Sequence, residues 1–250
     1  MKRFLLFLLC VLALSCAPRS LTVMTYNVGA FSKYGEDSLP EVAALIKEQG
    51  CNLVALNELD SCNRRHPDFQ VQRLAGELGG WQYAFASAFP FAGGGYGNGV
   101  VSARPIVRNF RIPLPQADGS EPRSVAVVET EQCVFASVHL DFKGEEAPLV
   151  QAKVINEWFS ARFAGSKKPV LLCGDMNSVP GSPAILALEQ EWERLTPEVS
   201  TYSTENPHIC IDYIFALKSA RPVKVEKADV LTEGTERLSD HFPVILKLRY

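Results

Sequence analysis

Polar residues of a few chosen types recur where apolar runs of this chain end. Asn27 closes the run 21–27, and Glu58 follows 53–57. His139 ends 134–139, and Asp175 and Asn177 follow 170–174. Asp212 lies inside the apolar stretch 209–215, and Asp240 and His241 precede 244–248. Carboxylates, amides and imidazoles without a cysteine ligand motif suit a hard cation such as Mg²⁺, with Mn²⁺ as a substitute. A cation of that kind, bridged to a phosphate, stabilises charge on phosphoryl oxygens and helps to activate water. Each residue also has a plain structural explanation. Asn27 can terminate a strand, Asp175-Met176-Asn177 can form a turn, and Glu58 can be solvated. His139 and His241, two of only 4 histidines, can be satisfied structural residues. Asp212 is harder to dismiss, because a carboxylate among apolar neighbours needs a partner. The ordered set carries more weight than any member.

Rigid strand ends are where an α/β scaffold holds side chains into a shared crevice. Strands are predicted over 21–27, 53–57, 99–102, 124–129, 133–139, 170–173, 210–216, 223–229 and 244–248. Helices are predicted over 40–49, 70–78 and 148–163, the last carrying Val150, Val154, Trp158 and Phe159 at helical spacing. Those apolar stripes are core rather than ligand boxes. The glycine-rich stretch 93–99 lacks the strand-before, helix-after context of a dinucleotide loop and reads as a flexible loop near a site. No internal repeat appears, so residues 21–250 are expected to form one domain.

Composition narrows the possibilities. With 250 residues, 47% of them apolar and 21% charged, the chain is an ordinary globular one and not a disordered one. A net charge of −3 argues against holding nucleic acid through a broad basic face, although not against a small phosphorylated substrate. Lys2 and Arg3, the apolar run 4–14 and the small residues that follow fit a secretory signal peptide over 1–15. Ala13-Leu14-Ser15-Cys16 resembles a bacterial lipobox, so Cys16 is expected to carry a lipid, with 16–20 as a tether. The expected location is the periplasm or cell surface. Without residues 1–15, which contain two positive charges and no negative ones, the formal charge goes from −3 to −5. Five cysteines follow Cys16, an odd number. Cys133 and Cys173 fit as small hydrophobes in strands, and a bridge between Cys51 and Cys62, or between strand cysteines, stays open.

Six segments then occur in order: Thr25-Tyr26-Asn27, Asn57-Glu58-Leu59-Asp60, Ser137-Val138-His139-Leu140-Asp141, Gly174-Asp175-Met176-Asn177-Ser178, Ile211-Asp212-Tyr213-Ile214-Phe215 and Ser239-Asp240-His241-Phe242-Pro243. The series resembles the endonuclease/exonuclease/phosphatase superfamily over essentially all of residues 21–250. Segments 97–106 and 121–123 are similar to further family segments. The resemblance implies a four-layered α/β sandwich, two packed, mostly antiparallel β-sheets flanked by helices. It also implies Mg²⁺-dependent hydrolysis of phosphoesters. Carried over by position, Asn27, Glu58 and Asp240 look like metal ligands or their neighbours, Glu58 the firmest. Asp175 matches the residue that prepares the attacking water, and Asn177 one that holds a phosphate oxygen or that water. His241 matches a histidine that contacts phosphate or transfers a proton, with Asp212 fixing its tautomer. His139 matches one that donates to phosphate or leaving group, as in the deoxyribonuclease-like and sphingomyelinase-like branches. Asn98 and Arg123 are expected to bind substrate.

One position departs from the pattern. Several nuclease members carry an acidic residue two places after the first-strand Asn, and here that place is Gly29. A second metal on that side is thereby put in doubt. The expected substrates are a phosphorylated small molecule, a lipid headgroup or nucleic acid, handled by a monomer. Segment 85–92 is the nearest candidate for a membrane-entering hairpin and fits a pocket loop equally. A secreted nuclease acting on DNA and a non-catalytic binder of a phosphorylated ligand are the alternatives.

Overall fold

A computed structural model describes residues 19–250; the expected signal peptide and the expected lipid attachment at Cys16 lie outside the described residues. In chain order the elements are β1 (Ser20–Asn27), α1 (Leu39–Glu48), β2 (Leu53–Ser61), α2 (Gln70–Glu77), β3 (Gln82–Phe91), β4 (Gly94–Ser102), β5 (Ile106–Pro113) and β6 (Ser124–Thr130). They continue with β7 (Val134–His139), α3 (Glu146–Phe163), β8 (Val170–Asp175), α4 (Pro183–Glu191), β9 (Trp192–Arg194), β10 (Asp212–Leu217), β11 (Lys224–Val230) and β12 (Val244–Arg249).

The strands make two six-stranded sheets, ordered β11-β12-β1-β2-β4-β3 and β5-β6-β7-β8-β10-β9. Each is antiparallel except for one central parallel pair, β1 with β2 and β7 with β8. Alternation along the strands builds the layers, because successive side chains face opposite sides. Leu21, Val23, Leu53 and Ala55 of one sheet meet Phe135, Leu171, Cys173 and Ile214 of the other in a central core. The intervening residues Met24, Tyr26, Val54 and Leu56 pack against α1 and α2. On the far side, Ala136, Val138, Leu172 and Phe215 pack against α3 and α4. This is the four-layered α/β sandwich that the resemblance implies.

Several elements extend beyond the sequence expectations. The stretch 93–99 is not a flexible loop: nearly all of it forms β4, which crosses between β2 and β3. Its small residues permit that approach, since a Cβ on Gly97 would stand 2.1 Å from the carbonyl oxygen of Ala86. Segment 85–92 falls almost wholly in the edge strand β3 rather than in a hairpin tip. Strands β3, β5 and β9 and helix α4 were not predicted. β5 is an edge strand with mostly exposed residues, and β9 is three residues long, so neither has a strong apolar alternation. All five cysteines among the described residues are free thiols.

Candidate active site

Strand parity and register assemble the site. Asn27 continues the inward face of Leu21 and Val23, and Asp175 continues that of Leu171 and Cys173. His139 shares the face of Phe135, and Asp212 that of Ile214. His139 and Asp212 both pair with Asp175 in register, on the two strands flanking β8. Asn27 pairs with Asn57 in the other sheet. Four inward positions therefore meet at one end of the central core, where the apolar filling stops.

Glu58 reaches the same place by a bulge. The pairing of β2 with β4 shifts between Leu56 and Leu59, and Glu58 has a φ of 60°. An extra residue in one strand re-aims the side chains around it, and a left-handed non-glycine backbone concentrates at functional sites. Asn177, just after β8, has a φ of 45°.

One carboxylate oxygen stands at the centre. Asp175 Oδ2 accepts from Asn27 Nδ2 at 3.0 Å, and it lies 3.3 Å from His139 Nε2 and 3.6 Å from His241 Nε2. Asp175 Oδ1 accepts the backbone N–H of Asn177 at 2.8 Å, so the turn expected there exists and serves the site. Asn27 Oδ1 accepts from the Gly29 N–H at 3.1 Å, which turns its Nδ2 inward to Glu58 Oε1 at 3.0 Å as well. His241 Nδ1 is 2.9 Å from Asp212 Oδ2, and the Tyr202 ring lies against the imidazole with centroids 4.7 Å apart.

The two histidines are driven apart in charge. Burial, then Arg123 and His241, hold the His139 pKa well below the usual histidine range. The geometry agrees: Arg123 Nη1 is 3.3 Å from Nδ1 and the Asn177 amide nitrogen 2.9 Å from Nε2, so donors face the ring on both sides. A neutral imidazole accepts at one nitrogen only: the tautomer that accepts from Arg123 at Nδ1 carries its proton on Nε2, toward Asp175 Oδ2, and the Asn177 amide then donates to Leu140 O at 3.0 Å rather than to the ring. Burial opposes charge on His241 too, but the carboxylates of Asp212 and Asp175 outweigh it and raise its pKa to about 10. Asp175 is itself raised, chiefly by burial.

Above these groups opens a cleft of about 470 Å³. One wall is charged, with Lys33 Nζ 2.6 Å from Asp240 Oδ2 and Arg123 Nη2 3.5 Å from Glu121 Oε2. Burial works against the charge of Lys33, yet Asp240 holds its pKa above the ordinary lysine value. The other wall is apolar and includes Phe142, Val179, Ile209 and Ile211. Phe142 and Val179 are 58% and 42% exposed.

The structure thus gathers Asn27, Glu58, Arg123, His139, Asp175, Asn177, Asp212, Asp240 and His241 around one cleft. Asn98 is not brought into it. Its Nδ2 donates to Ser124 O at 2.7 Å and its Oδ1 accepts from Asn57, so it ties strands together instead of facing substrate. Sequence reasoning missed Lys33, Tyr202 and the hub residue Asn57. Only Asn57 had a signal, a buried amide one place before Glu58.

The residues fit a divalent cation. Five carboxylates (Glu58, Glu121, Asp175, Asp212 and Asp240) face three cationic groups (Lys33, Arg123 and His241), an excess that an anionic phosphate would only increase. Asp212 Oδ1 is buried without a hydrogen-bond partner. Ligand atoms of Asp175, Asp212 and His241 lie within 4.8 Å of one another, although a protonated His241 cannot ligate a metal. Glu58 keeps a carboxylate at the cleft surface.

Known structures place the fold. An endonuclease/exonuclease/phosphatase from Beutenbergia cavernae is 24% identical, with a TM-score of 0.74 over 92% of this chain and 72% of that one. A mannosyl-6-phosphatase of Bacteroides thetaiotaomicron is 19% identical, with a TM-score of 0.74 over 92% and 100%. ANGEL2, a 2',3'-cyclic phosphatase, is 15% identical, with a TM-score of 0.74 over 93% and 95%. No curated protein sequence matches the chain. The model of the Endonuclease/Exonuclease/phosphatase family, whose members are divalent-metal-dependent phosphoester hydrolases, matches residues 24–241. By this match the chain belongs to that family.

Proposed function

We propose that the protein is an exported, Mg²⁺-dependent phosphoester hydrolase in which water attacks phosphorus with Asp175 as general base. The observation that carries this reading is the position of Asp175 Oδ2, ringed at 3.0–3.6 Å by Asn27, His139 and His241 at the floor of the cleft. As water attacks phosphorus, its proton passes to Asp175. The phosphorus–oxygen bond to the leaving group breaks as His241 Nε2–H protonates that oxygen, with Asp212 stabilising the imidazolium beforehand. His139, neutral, and Arg123 donate hydrogen bonds to the phosphoryl oxygens, with the Asn177 amide beside them. Mg²⁺, with Mn²⁺ as a substitute, would be anchored by Glu58; Asn27 would join it after an amide rotation that presents Oδ1, whereas Asp240 is engaged by Lys33. The cation would neutralise charge that builds on the phosphoryl oxygens.

The apolar wall of Phe142, Val179, Ile209 and Ile211 is suited to the organic part of the substrate. That favours a small organic phosphate or lipid headgroup over a DNA duplex, which the net charge of −3 also disfavours. The mannosyl-6-phosphatase and cyclic-phosphatase neighbours are compatible with the first of these. The same reading takes residues 1–15 as a signal peptide, Cys16 as a lipid attachment point, 16–20 as a tether and 21–250 as a monomeric catalytic domain at the periplasmic or outer surface.

The test assays the protein and Asp175→Asn with Mg²⁺, Mn²⁺ or EDTA on p-nitrophenyl phosphate, bis(p-nitrophenyl) phosphate, plasmid DNA and a phospholipid panel. Metal-dependent turnover should fall about a hundredfold or more in the variant. Equal rates in the two proteins would remove Asp175 from its role. Absence of turnover on every substrate would favour a binding protein.

A further inference from the structure

The loop after β1 carries an ammonium group into the cleft. Residues Gly29–Phe31 form a single left-handed turn, with φ of 51°, 54° and 55°, and Phe31 is buried. Beyond it, Tyr34 Oη lies 2.8 Å from Thr204 Oγ1, and Ser38 Oγ donates to Leu238 O at 2.8 Å. Lys33 is therefore held from both sides. Its side chain passes over Gly29: a Cβ there would stand 3.1 Å from Lys33 Cβ and 3.4 Å from Cδ, on a backbone with φ of +51°. A side chain at position 29 would crowd Lys33 and strain the turn. Position 29 is thus where the turn makes room for a lysine.

The ammonium reaches Asp240 Oδ2 at 2.6 Å, at the mouth of the cleft near Glu58. An ammonium has three N–H donors, and Asp240 takes one of them. A second divalent cation on this side would need Asp240 and at least one more carboxylate, because hard cations are held by several oxygens. Asp240 is already paired, and Gly29 has no side chain to give.

We infer that Lys33 is a substrate-contacting residue whose ammonium binds a non-bridging phosphate oxygen and supplies, at the Asp240 edge, the positive charge that a second divalent cation would otherwise bring. This rests on the phosphoester-hydrolase reading and adds to it a single-metal site completed by a fixed monocation. In the bound state Lys33 bridges Asp240 and the phosphate.

Binding measurements test this without relying on turnover. Inorganic phosphate and Mn²⁺ are titrated calorimetrically into the whole protein, Lys33→Met and Lys33→Arg. Methionine keeps the aliphatic length over Gly29 and removes the charge; arginine keeps the charge. Phosphate binding at saturating Mn²⁺ should weaken about tenfold or more in Lys33→Met and recover in Lys33→Arg. Mn²⁺ should bind at one site in the parent protein and at one site in Lys33→Met, because freeing Asp240 still leaves the second carboxylate missing at position 29. Phosphate affinity in Lys33→Met within about twofold of the parent, or two Mn²⁺ sites in the parent, would overturn the assignment. Phosphate binding that depends on Lys33 in a protein without turnover would leave Lys33 in place and remove the hydrolase; metal-dependent turnover with Lys33-independent phosphate binding would do the reverse.

Discussion

Asn57 Oδ1 accepts the backbone N–H of Asp175 at 3.1 Å, linking positions 118 residues apart. The same amide donates through Nδ2 to Val138 O at 2.8 Å, to Asn98 Oδ1 at 3.0 Å and to Ser137 Oγ at 3.3 Å. One buried side chain on β2 thereby binds the first sheet to β7 and β8 of the second, directly beneath the cleft. The apolar core sets the separation of the sheets, but it has no direction. These hydrogen bonds fix the registry of one sheet over the other at the end where Asp175 must meet Asn27.

Replacing Asn57 by Ala should therefore affect both stability and rate. The Asp175 N–H and Asn98 Oδ1, both buried, lose the Asn57 bond at once, at about 1–3 kcal/mol each when left unsatisfied, so a total loss of about 2–6 kcal/mol is expected. Because Asn57 positions Asp175 and touches no substrate, kcat should fall about tenfold or more while KM changes little. Asn57→Asp should be no milder, since a carboxylate cannot donate to Val138 O. Urea unfolding and steady-state kinetics check both parts. An unchanged kcat in a folded Asn57→Ala protein would show that the linkage is structural only.

Much of this site was legible in the chain because strand parity is legible. Once 21–27, 133–139 and 170–173 are taken as strands, Asn27, His139 and Asp175 fall at strand ends, and the family motifs supply the rest. What sequence could not give was anything set by approach between distant segments. The misassignment of 93–99 is an example: glycines suggest a loop, but here they admit a central strand between two close neighbours. Asn98 was drawn toward the substrate by its motif, while its amide is engaged between Asn57 and Ser124. Lys33 carries no motif at all; its importance depends on a turn that folds it back over Gly29 toward Asp240.

The opposite charge states of the two histidines should be visible directly. In metal-free protein, imidazole nitrogen NMR should find His241 protonated through neutral pH and His139 neutral well below pH 6.5. The stability consequences differ in sign. The His241 pKa is raised, so its contribution is complete below its unfolded value of about 6.5 and is lost as pH rises through about 10. The His139 pKa is lowered, so its contribution is present above about 6.5 and is lost as pH falls toward the folded value. Urea unfolding across pH should show His139→Gln flattening the acid side and His241→Gln the alkaline side. Flattening on the wrong side by either variant would mean that its pKa shift has the opposite sign.

Removal of the metal should separate Glu58 from the other carboxylates. Asp175 is fixed by Asn27, Asn57 and the Asn177 backbone, Asp212 by His241 and Asp240 by Lys33. Glu58 has one weak donor, the Asn27 amide, and is held at the cleft by a left-handed backbone whose cost of about 1–3 kcal/mol the fold must support. A carboxylate kept in that position with so little to satisfy it is the one best placed to anchor a cation. EDTA should abolish turnover reversibly, and Mn²⁺ or Mg²⁺ should raise the melting temperature of the parent protein by binding only the folded state. Glu58→Gln keeps the shape and removes the charge. It should weaken Mn²⁺ affinity at least about tenfold and lose most of the thermal shift, while its metal-free stability stays within about 1 kcal/mol of the parent. Calorimetric Mn²⁺ titration and thermal melts measure both quantities. An undiminished affinity in Glu58→Gln would move the metal to the Asp175–Asp212 side of the cleft, where it would neutralise the carboxylate charge that keeps His241 protonated.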